Sequence, residues 1–376
     1  MGKNKRKQIW EIIVLGLAIL LVAGGIWVWM LPEPPRDEMK LAREALLSAQ
    51  KAGAEVYAPS FYKQAQQLYD SAMVCWGNEN EHFFLNRDYS KVCSFVALVI
   101  EKANEARQKS CQQQINTNSF VKNGITGLEQ KVQLYEQVYK RMPLPGSVIG
   151  AHNKGKMKLA EARIAFEGDR FNEAKQHYQK AVELINSSNN KAEEILTVWF
   201  IHFPLWKKHG DEAIHLSRGG KKVILIDKYA HQCVVLQSGK PIRYFDVELG
   251  TNWMGDKRKK GDKTTPEGVY RITQVKEGAR TNFHKALLIN YPNDEDKRRL
   301  AAEKRKGTLA LPADIGGLIE IHGHGGKGVD WTDGCVALKN EDMDVICRLV
   351  STGVPVIIVG SLKPLNDIYE KISDKK

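Results

Sequence analysis

The chain has 376 residues, a length that suits two or three domains, and 43% of them are apolar, enough for a packed core. Charged residues at 27% without long low-complexity runs exclude wholesale disorder, and six cysteines in this length exclude a disulfide scaffold. The formal net charge of +12 calls for an anionic partner without naming one.

Residues Ile12 to Leu31, IIVLGLAILLVAGGIWVWML, are twenty positions without a charge. As an α-helix they span about 30 Å of hydrocarbon. Trp10 at one end and Trp27 and Trp29 at the other suit the lipid–water boundary. Lys3, Lys5, Arg6 and Lys7 precede the span, and no basic cluster follows it before Arg36. The retention of basic residues in the cytoplasm then leaves residues 1–11 inside as a basic tail and the rest outside. The rival reading is a cleaved signal peptide. It would have an apolar core of about 7–15 residues and a small-residue cleavage site, whereas this core runs into Trp, Met and Leu.

Residues 36–200 read as α-helical. Three stretches share one phase: Tyr62, Ala65, Tyr69, Ala72, Trp76; then Tyr89, Val92, Val96, Val99, Ala103; then Phe171, Ala174, Tyr178, Ala181, Ile185. Each puts a large–small stripe on one helix face. The third, with its Glu167-Gly168-Asp169 turn, looks like a tetratricopeptide-type helix pair, and ordinary antiparallel packing explains the stripe equally well. Breaks are expected at Pro59-Ser60, Gly77 to Asn80, Gly124 and Pro143 to Gly146. The region has no cluster of catalytic residue types, so spacing or contact with a protein partner is its expected work. Cys75, Cys93 and Cys111 read as structural thiols or as candidates for oxidation.

From Ala213 to Leu362 the texture is mostly β, with short runs such as KVILI, CVVL and IRYFDVEL, one late helix over 341–351 and a closing strand over 354–359. Residues 363–376 read as a tail. The densest reactive set is IEIHGHGGKGVDWTDGCVALKN, Ile319 to Asn340. His322 closes an apolar strand and Cys335 follows thirteen positions later. A thiol is a weak nucleophile until an imidazole takes its proton, and the intervening glycines allow the two to meet. Gly334 permits a tight turn, and successive N–H groups at Gly334 and Cys335 suit an oxyanion. Residue types alone leave three readings open: a thiol nucleophile, a metal site and a structural role. Against a metal, no second cysteine lies nearby and no familiar zinc spacing is present.

The strand ending in Ile321-His322-Gly323, the Thr332-x-Gly334-Cys335 turn and the upstream Thr265-Pro266-Glu267-Gly268 element together resemble the L,D-transpeptidase (YkuD-like) catalytic domain. The resemblance implies a β-sandwich acting on peptidoglycan stem peptides, with no cofactor or metal. It implies Cys335 as nucleophile, His322 as base, the Gly323 carbonyl orienting the imidazole and the Gly334 N–H in the oxyanion hole. Thr332, Asp333, His324 and Lys339 are the candidates for substrate contact, His324 as a loop residue rather than the base. Two features depart from the family pattern. The His–Cys loop is a few residues shorter than usual, and Ala337 stands where an arginine is common.

The whole then reads as a single-pass bacterial inner-membrane protein with a TPR-like helical region and a periplasmic or extracytoplasmic transpeptidase domain. Alternatives are a carboxypeptidase or wall-protein-releasing enzyme with the same site, and a non-catalytic wall-binding scaffold. The charged runs Asp256 to Lys263 and Asp296 to Lys306 read as solvated loops attracted to wall carboxylates, and nucleic acid is the wrong partner for this compartment.

Overall fold

A computed structural model describes residues 3–29 and 33–373. Residues 1 and 2 of the expected basic tail, 30 and 31 of the expected span and 374–376 of the expected C-terminal tail lie outside the described residues. The first helix, α1 (Lys3–Trp29), contains in Lys7–Trp29 a stretch long and apolar enough to cross a membrane, with none of it buried. The chain divides into two compact units, residues 1–124 with 164–175 and residues 125–163 with 176–376.

In the first unit α2 (Arg36–Lys51), α3 (Ala54–Tyr57), α4 (Pro59–Glu81) and the first part of α5 (Ser90–Leu134) form a bundle. Met39 and Ala42 pack with Ala72, Tyr89, Val92 and Val96, while Ala49 packs with Tyr62, Ala65, Ala103 and Ala106. α4 therefore runs antiparallel to α2 and α5. The large–small stripes of α4 and α5 meet in this bundle, and the fully buried alanines let the helices approach closely. Two expected breaks do not occur. α4 continues through Gly77 to Glu81, and α5 is unbroken through Gly124. Packing along a helix of that length outweighs the roughly 1 kcal/mol helix penalty of one glycine.

The second unit holds α6 (Gly146–Glu167) up to residue 163, α7 (Phe171–Phe200) from residue 176, α8 (Phe203–Ser217) and one eight-stranded mixed sheet. Its strands are β1 (Lys222–Asp227), β2 (Gln232–Gln237), β3 (Lys240–Asp246), β4 (Gly268–Glu277), β5 (Lys285–Ile289), β6 (Glu320–His322), β7 (Val336–Ala337) and β8 (Pro355–Val359). The spatial order is β3-β2-β1-β8-β4-β5-β6-β7. A register shift between Ile272 and Gln274 bends β4, which serves both halves of the sheet. Beyond β3, Glu248 bridges to Ala337 in β7, so the sheet curls until its two edges meet. The closure covers edges that would otherwise be open to pairing.

Three further helices are α9 (Asp294–Arg305), α10 (Asn340–Leu349) and α11 (Leu365–Ser373). α9 corrects the reading of its charged run as a solvated loop. Asn293 accepts from the N–H groups of Glu295 and Asp296, and Asp296 accepts in return from Asn293 N–H, a capping box that starts a helix despite the run's charge. The run Asp256 to Lys263 remains a loop, but a built one. The Asp262 carboxylate accepts from Arg258, Lys259 and Thr264 N–H and from the buried Lys257 ammonium at 2.6 Å.

The Thr265–Gly268 turn is fixed by a fully buried lysine. Lys228 Nζ donates to Gly255 O at 2.5 Å, Thr265 O at 2.8 Å and Glu267 Oε1 at 2.9 Å. The other Glu267 oxygen accepts from Trp206 Nε1 of α8 at 2.7 Å. A buried cation is tolerated because its donors are matched by oxygens. The Gly360 Cα lies so close to the Trp206 ring that any side chain there would collide with it.

Candidate active site

The site is built where β6 and β7 run in parallel. Ile321 pairs with Val336 and His322 with Ala337. Side chains alternate along a strand, and Cys335 stands directly before β7, two residues from Ala337, the partner of His322. Ala337 and Glu248 exchange N–H···O bonds of 2.8 and 2.9 Å, and Leu338 N–H donates to His322 O at 2.8 Å. His322 thus sits on ladder backbone, and Cys335 on the turn residue directly before β7.

His322 is buried, and its Nδ1 lies 2.7 Å from Gly323 O. A neutral imidazole placed so donates from Nδ1 and presents Nε2 as an acceptor. Phe283 stacks on the ring at 3.6 Å between centroids and 13° between planes, and Trp331 meets it edge-on at 5.8 Å. Burial lowers the His322 pKa, partly opposed by the Gly323 carbonyl and the Glu320 charge. The half-buried Cys335 thiol donates weakly to Leu318 O at 3.8 Å. Its pKa is pushed up to about 11, chiefly by burial, while the Glu320 N–H acts in the opposite direction. The resting pair is therefore neutral thiol and neutral imidazole.

The turn before the cysteine is tightly specified. Gly334 has φ +128°, and a Cβ there would sit 2.6 Å from Thr264 O. Only glycine meets both conditions. Thr332 is buried; its hydroxyl donates to Cys335 O at 2.7 Å and accepts from Gly334 N–H at 3.2 Å. The hydroxyl is thus used inside the turn, where the sequence placed it against substrate. Asp333 is exposed. His324 is exposed in a left-handed conformation at φ +67°, its N–H held by Asn340 Oδ1 at 2.8 Å and its ring beside Phe283. Lys339 is exposed, and its alkyl chain lies against Gly326.

Several residues escaped the sequence reading. Glu248 accepts from Trp331 Nε1 at 2.8 Å and from Gly328 N–H at 2.6 Å. Asp330 accepts from Leu249 N–H at 2.8 Å and contacts His231 Nε2 at 2.9 Å. Together these carboxylates pin the His–Cys loop to the strand end after β3. Glu320 is buried on the Cys335 side of β6 and paired with Lys276 at 2.6 Å. No local spacing signals these partners, because they come from segments more than forty residues away; only the alternation in IRYFDVEL marks Glu248 as sharing a face with Asp246.

Residues 221–358 match the family model of the YkuD L,D-transpeptidase catalytic domain. The chain therefore carries an L,D-transpeptidase-type catalytic domain over that segment. Solved structures with similarity include L,D-transpeptidases from Xylanimonas cellulosilytica DSM 15894 (14% identity, 37% of this chain and 60% of that one, TM-score 0.26) and Mycobacterium smegmatis (15%, 37% and 58%, TM-score 0.25). A third comes from Stackebrandtia nassauensis (15%, 38% and 56%, TM-score 0.26). The chain spans less than two thirds of the length of each. No curated protein sequence matches it.

Proposed function

We propose that this chain is a membrane-anchored peptidoglycan L,D-transpeptidase that uses Cys335 as nucleophile and His322 as base. The observation that supports the proposal is the β6–β7 register, in which Cys335 directly precedes the strand paired with His322, whose Nδ1 lies 2.7 Å from Gly323 O. His322 Nε2 takes the Cys335 proton as sulfur attacks the carbonyl carbon of the L-centre residue of a stem tetrapeptide. The Cys335 and Gly334 N–H groups hold the oxyanion; the 3.2 Å bond from Gly334 to Thr332 is long, and a full negative charge is the stronger acceptor. The C–N bond breaks, and the imidazolium returns its proton to the departing D-Ala amine. A neutral amine of a neighbouring stem then attacks the thioester and loses a proton to His322. Sulfur leaves as thiolate and is reprotonated, and a 3→3 cross-link results.

The neutral resting pair suits this order, since proton and sulfur move only when a carbonyl is present. Thr332 acts by positioning the turn. Asp333, His324 and Lys339, all exposed beside the pair, are assigned to substrate contact. Residues 213–362 form the catalytic domain, 36–200 the helical spacer or partner-binding region, and 12–31 the anchor that keeps the catalytic domain outside. The exposed apolar surface of α1 supports that anchor.

A second reading is favoured by Ala337. This buried methyl replaces the guanidinium that would grip a substrate carboxylate, so water rather than an amine would resolve the thioester in a carboxypeptidase or protein-releasing reaction. One assay tests both. The full chain in mild detergent is incubated with disaccharide-tetrapeptide, and products are read by mass spectrometry. Cross-linked dimer and free D-Ala support transpeptidation; tripeptide alone supports hydrolysis. No thioester and no D-Ala release would sink both readings.

A further inference from the structure

We propose that the tip of the α4–α5 hairpin, Phe83-Phe84-Leu85, is a second lipid contact that inserts into the surface of a phospholipid bilayer. It rests on the reading of α1 as a membrane anchor. The three residues are consecutive and exposed by 63%, 49% and 36%, with the two rings 4.6 Å apart. Three adjacent exposed apolar side chains at a helix connection are unusual for a purely solvated turn.

Several polar groups of the tip are bonded within the turn. Arg87 donates to His82 O at 3.0 Å and to Asn80 O at 2.8 Å. The Glu79 carboxylate accepts from Asp88 N–H at 3.1 Å and contacts the His82 ring at 3.2 Å. Tyr89 OH donates to Asn80 Oδ1 at 3.0 Å. The carbonyls of Asn80 and His82 and the Glu79 carboxylate are thus matched within the turn, while Phe83, Phe84 and Leu85 stay exposed. A turn entering the apolar edge of a bilayer needs this arrangement, since an unmatched carbonyl is costly there.

Chain connectivity names the occupant. Met39 in the first turn of α2 packs in one cluster with Ala72 of α4 and Tyr89 and Val92 of α5. α2 begins three residues before Met39, whereas α4 continues nine residues past Ala72. At 1.5 Å per residue, the end of α4 outruns the start of α2 by roughly 9 Å. Phe83 to Leu85 lie beyond that end. The bundle is tethered at this same end, because Arg36 is only seven residues from Trp29 at the close of the apolar helix. Fully extended, seven residues reach about 25 Å. A tether this short holds the tip at high effective concentration near the bilayer, so even modest apolar insertion is favoured.

The test uses the full chain in vesicles of phosphatidylethanolamine and phosphatidylglycerol containing a phospholipid with a photoreactive group near its ester carbonyl. After irradiation and digestion, lipid adducts are mapped by mass spectrometry. Adducts are expected both within 8–29 and within 82–87. A Phe83→Ser, Phe84→Ser chain is expected to lose the second set and keep the first. Adducts within 8–29 but none within 82–87 overturn the tip contact and leave the anchor standing. Adducts in neither segment overturn the anchor reading and the tip contact with it. Lipid adducts at 82–87 that persist in the double variant also overturn the proposal.

Discussion

In the helical unit fully buried side chains are mostly small and apolar: Ala42, Ala49, Ala65, Ala72, Ala103 and Ala106 line the helix contacts, beside the bonded Ser110. In the sheet unit buried positions include Lys228, His231, Glu248, Glu320, His322 and Thr332, each with a bonded partner. The bundle is specified by shape, and the sheet by shape plus a connected set of polar bonds. A wrong residue in the bundle costs stability. In the sheet it costs geometry at the site, because the bonds that close the sheet's edges are the ones that hold β6, β7 and the His–Cys loop.

The sharpest break of that contrast is Cys335→Ala. Turnover is expected to fall by at least about 10⁴-fold with unchanged circular dichroism and melting temperature, and adding His322→Ala should cost little more, since the two act as one unit. A double variant far slower than the single one would mean that His322 works apart from Cys335. Next comes Gly334→Ala. Its Cβ would press on Thr264 O at a backbone angle unfavourable to alanine, so stability should drop by about 3 kcal/mol and activity should vanish together with it. Denaturant titration beside the product assay checks the coupling. A fully active, fully stable alanine variant would show that the turn has slack.

Glu248→Gln tests the polar bonds away from the reacting atoms. The amide keeps one acceptor but loses the charge, so one of the Trp331 and Gly328 bonds weakens. A fall of about 10- to 100-fold in kcat/KM is expected, because the loop both positions the pair and carries His324 and Asp333. In the bundle, Ala103→Leu overfills a site with no room and should cost about 1–3 kcal/mol. Hydrogen exchange should speed up within 36–124, while turnover of a small soluble stem peptide stays unchanged. A loss of turnover matching that of Glu248→Gln would erase the contrast between the units.

The same contrast explains what could be read from the sequence. The strand-borne His322 and the Thr332-x-Gly334-Cys335 turn are short-range patterns that mark a candidate site by residue type alone. Helical stripes are short-range too, and Val92, Val96, Val99 and Ala103 are all buried as their spacing implies. Helix ends were harder, because Gly77 and Gly124 are local breakers overridden by packing that lies elsewhere in the chain. α9 was hidden because its net charge suggested solvent, while its start depends on one reciprocal cap at Asn293 and Asp296. The supports of the site were hidden most of all. Glu248 meets Trp331 across 83 residues and Lys276 meets Glu320 across 44, distances at which no spacing rule operates.

The smallest expected effect concerns protons. Burial makes imidazolium unfavourable, so the His322 pKa lies below the ordinary 6.5, and the base is already neutral at pH 7. kcat/KM should therefore be flat near neutrality and fall as acid protonates His322, with the midpoint below pH 6.5. Phe283 covers one face of that ring at 3.6 Å. Phe283→Leu would admit water to the ring, ease the cost of its charge and move the acid limb upward toward 6.5. A wild-type midpoint above 6.5 would require an imidazolium stabilised by a thiolate. The resting site would then be an ion pair, and proton transfer would precede substrate binding rather than accompany attack.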